Sequence, residues 1–468
     1  MLKRTFPAMC LSLAAIVNLQ AADWMRFRGP DGAGVASDQK IPAEFGPEKN
    51  LKWKIEVPAG TSSPIIIGHR LFLTSHKDNQ RTLHCFDTVT GNSIWERSVE
   101  QTHKELATPP AGPSTPTPVS DGERIYVFFP DAGLFAWTMD GEQLWKAPFT
   151  ASKTMHGLSS SLICVNGKVI QVVDQLNDSY IAAYNSENGE QVWKKERLSG
   201  LTGGYSTPAV YQPAGKPPVL ITTGPLEAVG YNPETGERIW WLLGKTNAPV
   251  SSPVIRGDRL YFCEPIGEPI PMSMLSGMDA NKDDKIDADE AAPNPPIARL
   301  IARIDDAWGN KDSVVDNEEW NKAFGSFEGK GGLVSVSLGG EGDISETGVR
   351  WSFGKALPYI PCILVDQEVV FVVDDGGVVT TVDTETGKQI RKARLKQGSS
   401  QYYASPVATK EYVVVVDTKG VLNVVRNAGE WETVSTTMLE EPCFSTPAIA
   451  NNSLFLRTAG HLFCFSEQ

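Results

Sequence analysis

The chain has 468 residues, 41% of them hydrophobic, with 42 Gly, 32 Pro and a formal charge of −13. That supplies apolar material for a large core and turn formers for many short strands, and the acidic balance excludes a nucleic-acid backbone as partner. None of the seven cysteines lies in a CxxCH, CxxC or adjacent Cys-Cys motif, so haem attachment of that kind is excluded.

Residues 1–22 read as a secretory signal peptide. Lys3 and Arg4 precede a short apolar run at 8–18, and small residues follow at Ala21 and Ala22. The run is too short to cross a bilayer and no second stretch is long enough, so no transmembrane segment is expected. The mature chain is expected to be exported, periplasmic or secreted. Its six cysteines, Cys85, Cys164, Cys263, Cys362, Cys443 and Cys464, lie mostly in apolar runs such as LHCFD and HLFCFS, as buried free thiols would. Residues 23–49 form an N-terminal arm that opens WMRFRGPDGAG, a Gly-rich loop carrying two arginines.

From residue 50 onward the chain repeats itself. One phrase is a Gly turn with Trp four residues later: Gly91/Trp95, Gly141/Trp145, Gly189/Trp193 and Gly236/Trp240. Degenerate copies are ETGVRW at Trp351, TETGKQIR with Arg391 in place of Trp, and NAGEW at Trp431. A second phrase places a small hydroxyl residue before Pro and an apolar strand, anchored at Pro64, Pro118, Ser161, Pro208, Pro253, Pro361, Pro406 and Pro447. Successive anchors stand 54, 43, 47, 45, 108, 45 and 41 residues apart. Four short strands in each unit of about 45 residues predict an all-β, eight-bladed β-propeller of four-stranded antiparallel blades. The last unit ends at its third strand, HLFCFSEQ, and the orphan LKWKIEV around Trp53 is predicted to supply the fourth. Such a strand closes the ring and removes an open edge.

The repeat resembles that of pyrroloquinoline-quinone-type eight-bladed propellers over essentially all of residues 50–468, and WMRFRGPDGAG resembles the opening of exported bacterial proteins of that group. The resemblance implies that the repeated Trp residues dock against neighbouring blades. It also implies one of two functions. Quinoprotein dehydrogenases oxidise alcohols or sugars with a quinone (PQQ) and calcium, and their alcohol-oxidising members typically carry an adjacent-cysteine disulfide that this chain lacks. Outer-membrane assembly propellers are non-catalytic and bind proteins, and this chain resembles them more closely in size and export.

One interval is too long, by about a small helical domain. An insertion at 264–330 therefore divides the propeller into 50–263, up to the start of blade five, and 331–468. It contains DANKDDKIDADE, which sets Asp279, Asn281, Asp283, Asp287 and Glu290 at loop positions suited to a hard cation, with Lys285 offering its carbonyl. The spacing resembles an EF-hand calcium loop, departing from it at Asp284, where glycine is usual. A second loop has Asp312, Asp316 and Glu319 in register, but Trp308 where the first carboxylate belongs, with Asp305 and Asp306 slightly too early. Residues 279–319 hold twelve acidic and five basic side chains, over half of the chain's net charge.

The connections entering each first strand are expected at one mouth of the channel. They would bring His156, Tyr205, Tyr359, Tyr402, Tyr403 and Phe444 together as a ligand-binding surface. His156 and Ser159–Ser161 do not read as a nucleophilic pair, because the serines fall on the repeat position. The sequence thus predicts an exported calcium-binding propeller that holds an envelope protein or another ligand at its mouth, without PQQ. Oxidation of an alcohol or sugar by a PQQ-dependent dehydrogenase is the alternative.

Overall fold

The computed structural model describes residues 23–467 apart from 177, 199–202, 247, 265–269, 325–331, 356 and 399. The predicted signal peptide lies outside the described residues. Eight sheets follow one another around a channel. Seven have four strands and one has five, and a two-stranded ribbon stands apart. In blade one the strands are Ile65–Ile67, Arg70–Lys77, Gln80–Asp87 and Ser93–Glu100, paired antiparallel in chain order. The second strands, such as Arg124–Phe129 and Val369–Asp374, are almost wholly buried because each blade's faces lie between its neighbours. The fourth strands form the outer edge and are largely exposed, as in Ser93–Glu100. The eighth sheet runs Ala448–Ala450, Ser453–Arg457, His461–Ser466 and finally Leu51–Glu56 from the other end of the chain.

The glycine–tryptophan phrase is an inter-blade joint. Trp95 Nε1 donates to the Met139 carbonyl of the next blade, Trp145 to Ser186, Trp193 to Pro233, Trp351 to Thr384 and Trp53 to Thr88. The glycine of that next turn lies under each indole. At Gly189, with φ +75°, an added Cβ would stand 2.6 Å from Trp145. Trp351 therefore docks on Gly387 of blade six rather than on Gly348 of its own phrase. Trp240 docks on no such turn: a short strand, Gly342–Asp343, pairs parallel to it and becomes the fifth strand of blade four. At blade six Arg391 lies over the Trp431 ring, 5.3 Å from its centroid.

The hydroxyl–proline phrase closes the channel wall. Each residue's amide donates to the side chain of its counterpart in the following blade, in the order Ser63, Thr117, Ser161, Thr207, Ser252, Cys362, Ser405, Thr446 and back to Ser63, at 2.9–3.2 Å. Blade six enters this ring through Cys362, one residue beyond Pro361, which corrects the expected anchor. The wide sulfur accepts the Ser252 amide in place of a hydroxyl oxygen. All six described cysteines are free thiols and five are buried.

The insertion carries three helices, α1 (Ala288–Ala291), α2 (Pro295–Trp308) and α3 (Asn317–Phe324). Asn294 caps α2 and Pro follows at its first turn, while Leu300, Ile301 and Ile304 face a core that includes Trp320 and Phe324. Leu226 of blade four joins that core, and Arg303 of α2 reaches the buried Glu227 at 3.3 Å. The insertion thus packs onto blade four although it leaves the chain in blade five.

Candidate functional site

The arm lies in the channel. Trp24 pairs with Ile66 of blade one, the Met25 carbonyl accepts from Ser120 of blade two, and Val35 bridges Ala408 of blade seven. Between them, Arg26 donates to the Pro208 carbonyl at 2.5 Å and Arg28 to the Ile363 carbonyl at 2.7 Å. Pro208 and Ile363 directly follow Thr207 and Cys362, so both guanidiniums sit just beneath the hydroxyl ring. The rest of the arm climbs between blades seven and eight, where Phe45 packs edge-on to Phe465.

Above the ring opens a cavity of about 600 Å³. Phe27, the residue between the two arginines, forms part of its lining, together with Ser63, Thr117, Ser161, Thr207, Ser252 and Ser405 of the ring. His156, Tyr205, Tyr359, Tyr403 and Phe444 line it too. His156 and Tyr205 are 6.0 Å apart, and Tyr403 meets Phe444 edge-on at 5.8 Å. Tyr402 does not belong to it: the side chain is buried, and its hydroxyl donates to the Gly398 carbonyl at 3.0 Å. Neighbouring residues on an extended segment face opposite ways, so Tyr403 and Tyr402 could not both have lined one cavity. The loop 101–117 folds over one side through Thr108, Pro109, Pro110 and Ala111, and Met155 stands exposed at the rim.

Sequence reading passed over the charges that support this mouth. Arg457 is fully buried, donating to the carbonyls of Pro58, Ser62 and Thr74. Arg197 and Asp174 form a buried two-pronged pair under the loop that carries Tyr205. Burial lowers Arg457 to about 9 and Arg26 to about 10, and Arg28 is lowered for the same reason. Among the described residues Arg26, Arg28 and Arg457 make no ion pair, and donors on all three lack an acceptor. Nothing in the sequence signals this: Arg26, Phe27 and Arg28 lie in a turn, Arg28 at φ +63°, and the Gly29 amide donates to the Arg26 carbonyl across it.

The two insertion loops are built alike. Ile286–Asp287 and Val314–Val315 pair antiparallel, placing the loops back to back. In the first, Asp279 accepts amides from Asp283 and Asp284, Asp283 accepts from Lys285, and Glu290 accepts from Ala280, Asn281 and Asp287. Asp284 adopts φ +60°, the turn for which glycine is usual. In the second, Asp305 of α2 accepts amides from Lys311 and Ser313, Asn310 holds Asp312, and Glu319 accepts from Asn310 and Asp316. Asp305 thus reaches back to the position that Trp308 vacates, a role the register count did not assign. Among the described residues no three acidic, His or Cys side chains are gathered closely enough to hold a metal ion as the loops stand. The donor set is nonetheless all oxygen, the chemistry a hard cation requires.

Fold and joints define the class: an eight-bladed propeller with tryptophan-on-glycine joints. A family model described as outer membrane protein assembly factor BamB matches residues 79–298 and 346–434, and the chain belongs to that family. The outer membrane protein assembly factor BamB of Bordetella pertussis is 23% identical over 397 residues, 83% of this chain and 91% of that protein. Among solved structures, BamB from Moraxella catarrhalis aligns with a TM-score of 0.54 at 12% identity, over 89% of this chain and 98% of that one. Quinohemoprotein alcohol dehydrogenase from Comamonas testosteroni gives 0.58 at 12% identity, over 95% and 81%. Both structural likenesses concern the fold alone.

Proposed function

We propose that this protein is an exported, non-catalytic scaffold of the bacterial envelope that engages a partner protein at the propeller mouth. The observation that carries the reading is the family match over residues 79–298 and 346–434, which covers propeller blades before and after the insertion. The cavity supports it with aromatic and apolar groups at a wide rim, Tyr359 at 62% exposure and Met155 at 56% among them. The insertion is proposed to bind calcium through Asp279, Asn281, Asp283, Asp287 and Glu290 and the Lys285 carbonyl, which would stiffen the loop pair beside blade four.

The test is capture from envelope extract by the mature chain carrying a photo-crosslinker at Tyr359. A specific partner that is lost when the crosslinker is moved to the outer strand position Arg97 is expected. Recovery of nothing specific, together with dye-linked oxidation of an alcohol after addition of quinone and calcium, would replace this reading with the dehydrogenase one.

A further inference from the structure

We infer that the mouth cavity binds an organic carboxylate attached to an aromatic or aliphatic body, the carboxylate seated on the hydroxyl ring above Arg26 and Arg28. The inference rests on the mouth being the binding face and specifies what it holds.

Hydrogen-bond accounting gives the first reason. Each ring oxygen accepts the amide of the preceding blade, and among the described residues no acceptor is in place for its O–H hydrogen. Six hydroxyls that line the cavity thus converge as donors from around the channel. A ring of donors favours a compact, acceptor-only group, and an ionised carboxylate is acceptor-only.

Charge gives the second. Arg28 is 1% exposed and Arg26 8% exposed, and Arg28 donates to the carbonyl of Ile363, the residue after Cys362 of the ring. Neither forms an ion pair among the described residues, and Arg26 Nε and both Nε and Nη1 of Arg28 have no acceptor. Two buried cations directly beneath the ring bias this end of the cavity toward an anion. The carboxylate on the opposing wall is Glu264, whose Oε1 accepts the Ala248 amide at 2.5 Å. Asp31 of the same arm also acts on both arginines, but it is exposed and holds the Ala33 amide, so solvent weakens its charge while the two guanidiniums stay buried. Above the ring, Tyr205, Tyr403, Phe444 and His156 offer flat surfaces for an apolar body.

A free aryl acid and the C-terminus of a peptide share this chemistry. Calorimetry of the mature full chain with N-acetylphenylalanine, its C-terminal amide and 3-phenylpropionate separates them. The acid is expected to bind at least tenfold more tightly than the amide. Comparable binding of 3-phenylpropionate marks a free acid as the source, and its failure marks a peptide terminus. Arg28→Gln should weaken the acid at least fivefold. Glu264→Gln, which keeps an acceptor for Ala248, should tighten it at least twofold and serves if the arginine variant does not fold. Equal binding of acid and amide, or no effect of Glu264→Gln, overturns the proposal. If no probe binds while envelope capture persists, the carboxylate site fails and the scaffold reading stands.

Discussion

The Thr446 amide donates to the Ser63 hydroxyl at 3.1 Å, joining the last blade to the first across 383 residues. Both residues are buried in the channel wall, with Ser63 bordering the mouth cavity. Ser63→Ala leaves the Thr446 amide without an acceptor and is expected to cost about 1–3 kcal/mol in urea unfolding. Cys362→Ser puts an oxygen where the sulfur accepts the Ser252 amide and is expected to stay within about 1 kcal/mol of wild type. Equal loss in both variants would show that the ring acts through side-chain volume rather than through its hydrogen bonds.

The joints between blades should be more sensitive than the outer strands they connect. Gly189→Ala forces a Cβ against the Trp145 indole at a positive φ, combining a clash with backbone strain. A loss of about 2–4 kcal/mol is expected from chemical denaturation. Gly215→Ala, also at positive φ but with open space around it, should cost about 1 kcal/mol. The difference between the two isolates the joint from the strain.

Repeated phrases made the blade number, the strand order and the orphan closing strand legible, because each phrase marks a contact made once per blade. Irregular positions were less legible. Pro361 imitates the repeated proline, but the bond that defines the ring belongs to its neighbour Cys362. Tyr402 and Tyr403 are alike in composition and differ only in the side of the segment they face. Arg26 and Arg28 gave no sign of burial, since a charged side chain is normally read as solvated, and only the fold shows that the arm threads the channel. Asp305 escaped the loop count because it reaches the second loop from the last turn of α2 rather than from the loop itself.

His84 should make the chain acid-sensitive. It is buried, with Nε2 2.7 Å from the Ser75 hydroxyl, and burial followed by the Arg457 charge takes it down to about 4. Glu96 stands 3.5 Å from Nδ1, but two-thirds exposure dissipates its charge in water. A folded value below the unfolded one near 6.5 means that the unfolded chain binds the extra proton first. The resulting stability is fully present above about pH 6.5 and is lost as pH falls toward 4, about 2 kcal/mol of it between pH 7 and pH 5. Urea unfolding at both pH values, with His84→Gln as control, checks this: the variant should show a smaller drop. NMR titration of the ring should find it neutral at pH 5.

Calcium is the last prediction, and the two loops are distinguished by where their first carboxylate comes from. In the first loop Asp279 opens the loop and Glu290 closes it, with Glu290 Oε1 and Oε2 facing opposite ends of the loop. Those oxygens now hold amides at modest strength, and a divalent cation would compete for the same carboxylates. Calorimetry should show calcium uptake by the wild type that weakens more than tenfold in Glu290→Gln, because one of the two oxygens becomes an amide nitrogen. Asp305→Asn should leave this event unchanged, since Asp305 serves only the second loop through Lys311 and Ser313. Equal calcium binding by wild type and Glu290→Gln would remove the assignment of the first loop, and loss of all binding in Asp305→Asn would move the site to the second.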